Sequence, residues 1–440
     1  MLNKSLHRDL PLIQEADLEG KVVLVRFDHN VVKNGIIRDP FRIDRTVGTL
    51  FHIVERGGRP VMMTHIGRPK DKKSGAITCR TEESVEPVVR YIEQKLHTKL
   101  YIPDFPQEPG RGIAGIDTSI NLAIRDLRER KIGGIYLPNT RWFQGEEADD
   151  AGLRERFALQ LAGLADIYVN DAFGSWQPHA STYNITRHLP SFAGYLLQQE
   201  IVHLDGVMKP ERPFLAVVAG SKYDTKIKPL NALYDKVDRL MLGGVIYNTY
   251  LCAKYQIRIK GVSDEDRVLA QELVEKDRLA KKIVELPLVV ESDIADERAE
   301  GKYRTISTRD FKPGAAYGYV LDIDPRSFEE RSVAEAINSA KTIFVNAVMG
   351  YTPHFSAGSQ ALDNTIDRNR DAMKMYGGGD TLQEFKNLLP GLYLSVMDDA
   401  SYYFFTGGGT VITAIERGSP YGLEPVEALI DAKKKQGMER

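Results

Sequence analysis

Four short glycine-bearing segments carry the most specific chemistry in this chain: Ala219-Gly220-Ser221-Lys222, Gly243-Gly244, Gly377-Gly378-Gly379-Asp380-Thr381 and Thr406-Gly407-Gly408-Gly409-Thr410. Each ends or follows a predicted strand. Glycine lets the backbone approach a ligand and adopt positive φ, and a strand-to-helix turn aims free N–H groups and the positive helix end at an anion. A single pair such as Gly243-Gly244 reads as a tight turn; four clusters together read as a phosphate-binding edge. Lys222 and Lys226 are four apart, so on a helix starting near Ser221 they would project from one face beside that edge, or form a plain solvated basic face. Asp380 stands where one carboxylate can hold Mg²⁺ while the metal keeps waters and phosphate oxygens. It is also placed to N-cap a helix over 382–389, and the two roles can coexist. No GxxxxGKS/T string is present, so any kinase chemistry here uses another phosphate-binding design.

The first half offers a different set. The strand Val22–Phe27 runs straight into Asp28-His29-Asn30, and later strands deliver Thr64-His65-Ile66-Gly67-Arg68-Pro69 and Asn139-Thr140-Arg141. Arg42, Arg68 and Arg141 are planar donors suited to carboxylate or phosphate, while Asp28 and Asn30 can accept from a substrate hydroxyl. Taken singly, each arginine also fits a surface ion pair, and His65 also fits a packing histidine. As a set at strand ends they describe a site for a small, anionic, hydroxylated ligand. One domain with anion loops and a carboxylate, facing another with arginines across a cleft, suits phosphoryl transfer from a nucleotide to an anionic acceptor. An acceptor carboxylate is already ionised at neutral pH and needs no general base. The chain shows no nucleophile triad or metal-protease motif to supply one.

The elements that must position these groups alternate. Val22–Phe27 and residues 60–65, 135–139 and 167–170 are the strand candidates of the first half. Apolar residues at three- and four-residue spacing predict helices over 46–55, 84–96 and 151–165, the second with Ser84 as N-cap and Pro87 in its first turn. Strand, helix, strand in repetition implies parallel sheets with helices on both faces. A long helix over 191–204, introduced by Pro190, precedes a restart with strands at 214–219, 239–242 and 342–345. The expected fold class is therefore α/β: two Rossmann-like three-layer domains joined by a long helix and hinge, with a boundary near 190–210. The charged region 255–335 gives no clear period and is expected to add helices and a small sheet to the second domain. No sequence repeat indicates a solenoid.

Composition narrows the classes. With 440 residues, 42% of them hydrophobic, the chain can fill two or three cores, since single cores rarely grow past roughly 250–300 residues. Lysine and arginine total 59 against 61 acidic residues, a formal charge of −2, so no global basic field recruits nucleic acid or an anionic membrane. Cys79 and Cys252 are isolated, which argues against a disulfide framework or a cysteine zinc site and for a reducing, cytoplasmic setting. The polar start and the absence of any apolar run of about 18–20 residues predict a soluble chain without a signal peptide.

Along nearly its whole length the chain resembles the phosphoglycerate kinase family, in order and with similar spacing. VRFDHNVV resembles the family's VRVDFNVP, FRID its QRI segment, THIGRPK its SHLGRP and DIYVNDAFG its DVYINDAFG. AGSKYDTKI is similar to GGAKVADKI, DKVDRLMLGG to DKVDSIIIGG and KTIFVNAVMG to KTIVWNGPxG, while GGGDT and TGGGT have direct counterparts. The segment 423–429 resembles the closing segment that returns to the first domain. The resemblance implies an acid-binding domain over 1–195, a nucleotide-binding domain over 196–417 that includes the linking helix, and a closing segment over 418–440. It further implies Mg²⁺-dependent transfer between ATP and 3-phosphoglycerate in glycolysis or gluconeogenesis, hinge closure, and a cytoplasmic monomer. By the resemblance, Asp28, Asn30, Arg42, His65, Arg68 and Arg141 bind the acid. Gly220, Lys222, Lys226, Asn346, Gly379, Asp380 and Thr381 serve nucleotide, metal or the moving phosphoryl group, with Gly243, Gly244, Gly378, Gly407 and Gly408 lining the same edge. Arg42 and Lys222 are the candidates for stabilising the transferred group, with closure excluding water.

Two stretches depart from the family. Its AHRAHSS, which supplies one more arginine to the acid site, here reads Ser175-Trp176-Gln177-Pro178-His179-Ala180-Ser181, one residue shorter, so Gln177 or Pro178 stands at that arginine. Where the family has GVFE, with its glutamate on the ribose, this chain has Gly350-Tyr351-Thr352-Pro353, and Val348 replaces a nearby proline. Losing one hydrogen bond to a charged group, worth about 1.5–3 kcal/mol, weakens acid binding unless Gln177 or His179 substitutes. These departures keep open a divergent kinase with another acceptor or donor, and a silent regulatory module.

Overall fold

The computed structural model of the chain describes residues 6–220 and 227–438. It divides into two units, one holding the residues up to Val202 together with those from Tyr421 onward, the other His203–Pro420. The division falls within the helix Tyr195–Met208, a few residues after the boundary at 195/196 expected from sequence.

In the first unit the main strands are β1 (Val22–Phe27), β2 (Arg59–Met63), β3 (Leu100–Tyr101), β4 (Gly134–Tyr136), β5 (Ile167–Asp171) and β6 (Ser191–Ala193). They form one sheet in the order β6-β5-β1-β2-β4-β3, parallel throughout. β1 is VVLVRF and buried at every position, as expected of a central strand covered on both faces. Alternation sends Val23, Val25 and Phe27 into a core with Ile53, Val88 and Ile92 of the covering helices. The same alternation puts Arg26 on the opposite face, fully buried.

Three local expectations are corrected. Residues 191–193 do not begin the long helix: they pair with Tyr168–Asn170 as an edge strand, and the helix starts after the turn at Gly194. The second helix begins at Glu86 with Val85 as N-cap, and Ser84 Oγ instead accepts from Glu86 N at 3.2 Å. The third ends at Ala162, capped at its start by Asp150, whose carboxylate accepts from Leu153 N.

The second unit has a five-stranded parallel sheet ordered β8-β7-β12-β13-β14, where β7 is Phe214–Gly220, β8 Arg239–Gly243, β12 Thr342–Asn346, β13 Met373–Gly377 and β14 Tyr402–Phe405. Between β8 and β12 the charged region supplies the helix Asp264–Ala280 and an antiparallel sheet of β9 (Leu288–Ser292), β10 (Tyr303–Ser307) and β11 (Tyr319–Ile323). The last helix, Glu424–Met438, packs in the first unit through Val426 and Leu429, and Lys433 Nζ lies 3.2 Å from Glu15 Oε2.

Phe344, at the centre of β12 and fully buried, anchors the second sheet. Phe344→Ala is expected to cost about 3–5 kcal/mol in urea unfolding followed by circular dichroism; a loss below about 1 kcal/mol would contradict close packing there.

Candidate functional site

Because both main sheets are parallel, every strand delivers its carboxyl end to the same edge of its unit. In the first unit the ends of β1, β2 and β4 lead into Asp28-His29-Asn30, Thr64-His65 and Asn139-Thr140-Arg141. Asp28 is nearly buried; its Oδ2 accepts from Arg42 Nη1 at 3.0 Å, while its buried Oδ1 has no hydrogen-bond partner. Asn30 Oδ1 accepts from Gly67 N at 3.0 Å, and Arg141 Nη1 donates to Gly67 O at 2.6 Å, so both hold the loop that carries His65 and Arg68. That loop needs a glycine: Gly67 has φ +64, and a Cβ there would lie 2.3 Å from Glu83 Oε1. Arg68 is exposed, with its backbone N–H donating to the same carboxylate at 3.2 Å.

Asn139 stitches this edge together. Its Oδ1 accepts from the N–H groups of Ile66 and Arg141, and its Nδ2 donates to the carbonyls of Ile66 and Glu83, all between 2.7 and 3.1 Å. His29, in contrast, is structural: Nδ1 meets Tyr136 Oη and Nε2 meets Thr46 Oγ1, each at 2.9 Å, and burial holds its pKa at about 3. Burial, then the charge of Arg141, likewise keeps His65 well below the usual histidine range.

Sequence reasoning missed the groups behind this edge. Arg26 Nη2 lies 3.1 Å from His65 Nδ1, Arg26 Nε donates to Ser181 Oγ at 2.9 Å, and Ser181 in turn binds Glu146. Glu147 pairs with Arg141 Nε at 2.7 Å and faces His179 Nε2 at 3.5 Å. The one available signal was an arginine inside an otherwise apolar strand. At the departing stretch, Gln177 and Pro178 are both exposed, and Gln177 supplies only its carbonyl, to Thr182 Oγ1 and His179 N.

Among the described residues of the second unit, three helices start on glycine shortly after a strand. Gly244–Tyr255 follows β8, Gly379–Leu388 follows β13 and Gly408–Arg417 follows β14; their N-caps are Gly243, Gly378 and Gly407, and none has a side-chain cap. Helix starts of this kind can receive an anion at their N–H ends. The glycines are required by close packing as well. A Cβ on Gly408 would lie 2.3 Å from Gly378 N, and one on Gly378, at φ +119, would lie 2.9 Å from Asn346 Nδ2. Gly220 and Gly244 form a bridge, and Asn346 Nδ2 donates to Gly377 O at 2.5 Å. Asp380 is exposed in the first turn of its helix, which Gly378 caps, so the capping role expected of Asp380 is not the one it has. Thr381 beside it is buried. Lys222 and Lys226 lie outside the described residues. Pro353 sits in an exposed loop, 351–354.

Three buried carboxyls have no local signal in the sequence: Asp322 on β11, Asp363 on the helix Ala357–Arg368 and Glu384 on the Asp380 helix itself. Burial raises Asp322 to about 6, Glu384 to about 7 and Asp363 to about 8; neighbouring carboxylates add to the rise of the last two. Among the described residues no group of three or more histidine, cysteine and carboxylate side chains is placed to hold a metal. A cavity of about 920 Å³, lined by Arg239, Lys281 and Ser339 among others, opens at the amino end of β8, the edge opposite the glycine ends, and holds none of the site residues. No helix of the described residues is long and apolar enough to cross a membrane.

Two outcomes are expected. Gly408→Ala should lower stability, since its methyl meets backbone rather than a flexible side chain; an unchanged protein would show that the two loops separate easily. A carboxyl whose folded pKa is raised loses stability as pH climbs from its ordinary value to the raised one. Glu384→Gln should therefore gain on the wild type in chemical denaturation as pH rises from 4.5 to about 7, and a pH-independent difference would contradict the buried proton.

Comparison with known proteins places these features in context. A family model described as phosphoglycerate kinase matches residues 13–417. The phosphoglycerate kinase of Rubrobacter xylanophilus is 33% identical over 418 residues, covering 92% of this chain and 95% of its own, and that of Trichodesmium erythraeum is 33% identical over 414 residues with the same coverage. Among solved structures, the phosphoglycerate kinase of Coxiella burnetii aligns with a TM-score of 0.72 at 28% identity, covering 97% of this chain and all of the other. That of Pyrococcus horikoshii, at 20% identity and a TM-score of 0.75, shares the fold.

Proposed function

The chain belongs to the phosphoglycerate kinase family and is a kinase, and from that premise we propose which of its residues hold the two substrates and move the phosphoryl group. The acid, 3-phosphoglycerate, binds at the carboxyl edge of the first sheet. Arg42, Arg68 and Arg141 meet its carboxylate and phosphate, His65 adds a hydrogen bond, and Asp28 and Asn30 take up its hydroxyl. The observation that carries this reading is Asp28: a buried carboxylate with one oxygen paired to Arg42 and the other without a partner is a site short of one donor. Burying such an acceptor unmet costs about 1–3 kcal/mol, which a substrate hydroxyl would relieve.

The nucleotide phosphates of ATP or ADP bind at the uncapped helix starts, against Gly220, Gly243, Gly244, Gly378, Gly379, Gly407 and Gly408, with Asn346, Thr381, Lys222 and Lys226 alongside. The residues fit a magnesium nucleotide. Asp380 is a single exposed carboxylate beside a glycine cradle, and Mg²⁺ is commonly held by one or two carboxylates while phosphate oxygens and water fill the remaining positions. When bound, the ion supplies neutralisation of charge on the β- and γ-phosphate oxygens. Arg42 and Lys222 stabilise charge on the transferred group. The acceptor is a carboxylate, ionised at neutral pH, so the chain needs no general base, and the neutral histidines at the acid edge are consistent with that.

The exposed Gln177 and Pro178 supply no charged donor to the acid, so this chain relies more heavily on Arg42 and Arg141. Steady-state turnover with 3-phosphoglycerate and Mg-ATP tests the assignment. Arg42→Ala is expected to raise the acid's KM by about tenfold to a hundredfold and to lower kcat, leaving the nucleotide KM nearly unchanged; Asp380→Ala is expected to remove most turnover. Wild-type kinetics in either variant would refute the role given to that residue.

A further inference from the structure

We propose that Arg26 is a positioning residue that holds His65 in its neutral, Nε2-protonated form, so that His65 meets the anionic acid as an uncharged hydrogen-bond donor. The donor part rests on the reading above, in which His65 contacts the acid. The tautomer part stands on geometry alone.

A guanidinium carries five N–H donors and no acceptor. Arg26 Nη2 lies 3.1 Å from His65 Nδ1, so Nδ1 must accept, and the ring proton must sit on Nε2. Ser175 Oγ, 3.4 Å from the same nitrogen, can add a second donor. Both polar contacts of the ring thus fall on Nδ1. An imidazolium would set a proton on Nδ1 against a group with nothing to receive it.

Arg26 cannot turn away to accommodate that proton, because it is fixed from behind. It is fully buried; Nη1 donates to Phe27 O, and Nε donates to Ser181 Oγ at 2.9 Å. Ser181 Oγ then donates to Glu146 Oε1 at 2.5 Å, and Ser181 N donates to Glu146 Oε2 at 3.0 Å. Glu146, also fully buried, lies 4.0 Å from Arg26 Nη2. One end of this chain can only donate and the other, a carboxylate, can only accept, so every hydrogen bond in it has a single direction.

The charged groups around the ring point the same way. Beyond burial, which weighs most, Arg141 from the turn after β4, Arg26 from β1 and Arg42 from the Phe41–Asp44 helix oppose a proton on His65. Asp28 and Glu147, the nearby carboxylates, are engaged by Arg42 and Arg141. The positive charge offered to the acid is therefore permanent arginine charge, and His65 contributes direction without titrating.

Two-bond ¹H–¹⁵N correlation spectra of the whole protein read the tautomer directly, with His65 assigned by its loss in His65→Ala. The expected wild-type signal is the neutral Nε2-protonated pattern, unchanged from about pH 8 to about pH 5.5, the range in which an ordinary histidine titrates. Arg26→Lys still presents only donors and should keep that pattern. The paired change Arg26→Met with Glu146→Gln removes both buried charges and should give mixed tautomers. A wild-type Nδ1-protonated pattern, a wild-type midpoint inside the range, or a paired variant that keeps the wild-type pattern would each overturn the proposal. Should the paired variant fail to fold, the wild type and Arg26→Lys still decide, because an Nδ1-protonated ring in either is fatal to it. Separately, His65→Ala should raise the KM for 3-phosphoglycerate about tenfold; an unchanged KM would remove the donor role, whatever the spectra show of the tautomer.

Discussion

Parallel strands send all their carboxyl ends to one edge of a sheet, and in each unit of this protein the polar chemistry is gathered at that edge. The constraint acts first on sequence. Strands such as β1 and β12 must be apolar on both faces because helices cover both, so a polar group stands out wherever it follows the last strand residue. Asp28 and His65 follow their strands, and Asn346, Gly243 and Gly377 end theirs. Helices that begin there point their unpaired N–H groups outward, and glycine is the residue that permits the tight start.

Holding such an edge rigid requires burying polar groups, and the two units do this differently. In the first, Asn139 satisfies backbone groups of two neighbouring segments, at Ile66 and Glu83, with three amide contacts and its own turn at Arg141 with a fourth, while Arg26, Ser181 and Glu146 form a buried charged chain behind His65. Buried ion pairs contribute little net stability, but removing one member is expensive, so such a chain fixes geometry more than it adds free energy. In the second, the loops lock by direct backbone contact between Gly378 and Gly408, and desolvation raises the pKa of the buried carboxyls Asp363 and Glu384.

Much of this was legible in the sequence, for identifiable reasons. The strands Val22–Phe27 and 342–345 announced themselves by apolar runs, and Asp28 and the glycine clusters by residue type at strand ends, whereas Arg42 comes from the short helix Phe41–Asp44. What was not legible depended on long-range pairing. Residues 191–193 look helical until Tyr168–Asn170 offers them an edge to pair with. Asp380 looks like an N-cap because nothing local shows that Gly378 adopts φ +119 and takes that role. Glu384 lies on what read as ordinary helix and Asp363 in a stretch given no reading, and only the folded packing reveals their burial. Arg26 was visible as an oddity in its strand, but its partners are 39, 120 and 155 residues away in sequence (65−26, 146−26, 181−26).

The central claim is that the carboxyl edge of the first sheet is the acid site, and a crystal structure with 3-phosphoglycerate bound tests it most directly. The ligand's hydroxyl is expected on the unpartnered Oδ1 of Asp28, with its carboxylate and phosphate on Arg42, Arg68 and Arg141. Ligand density at another edge, or at this edge with Asp28 Oδ1 still unmet, would contradict it.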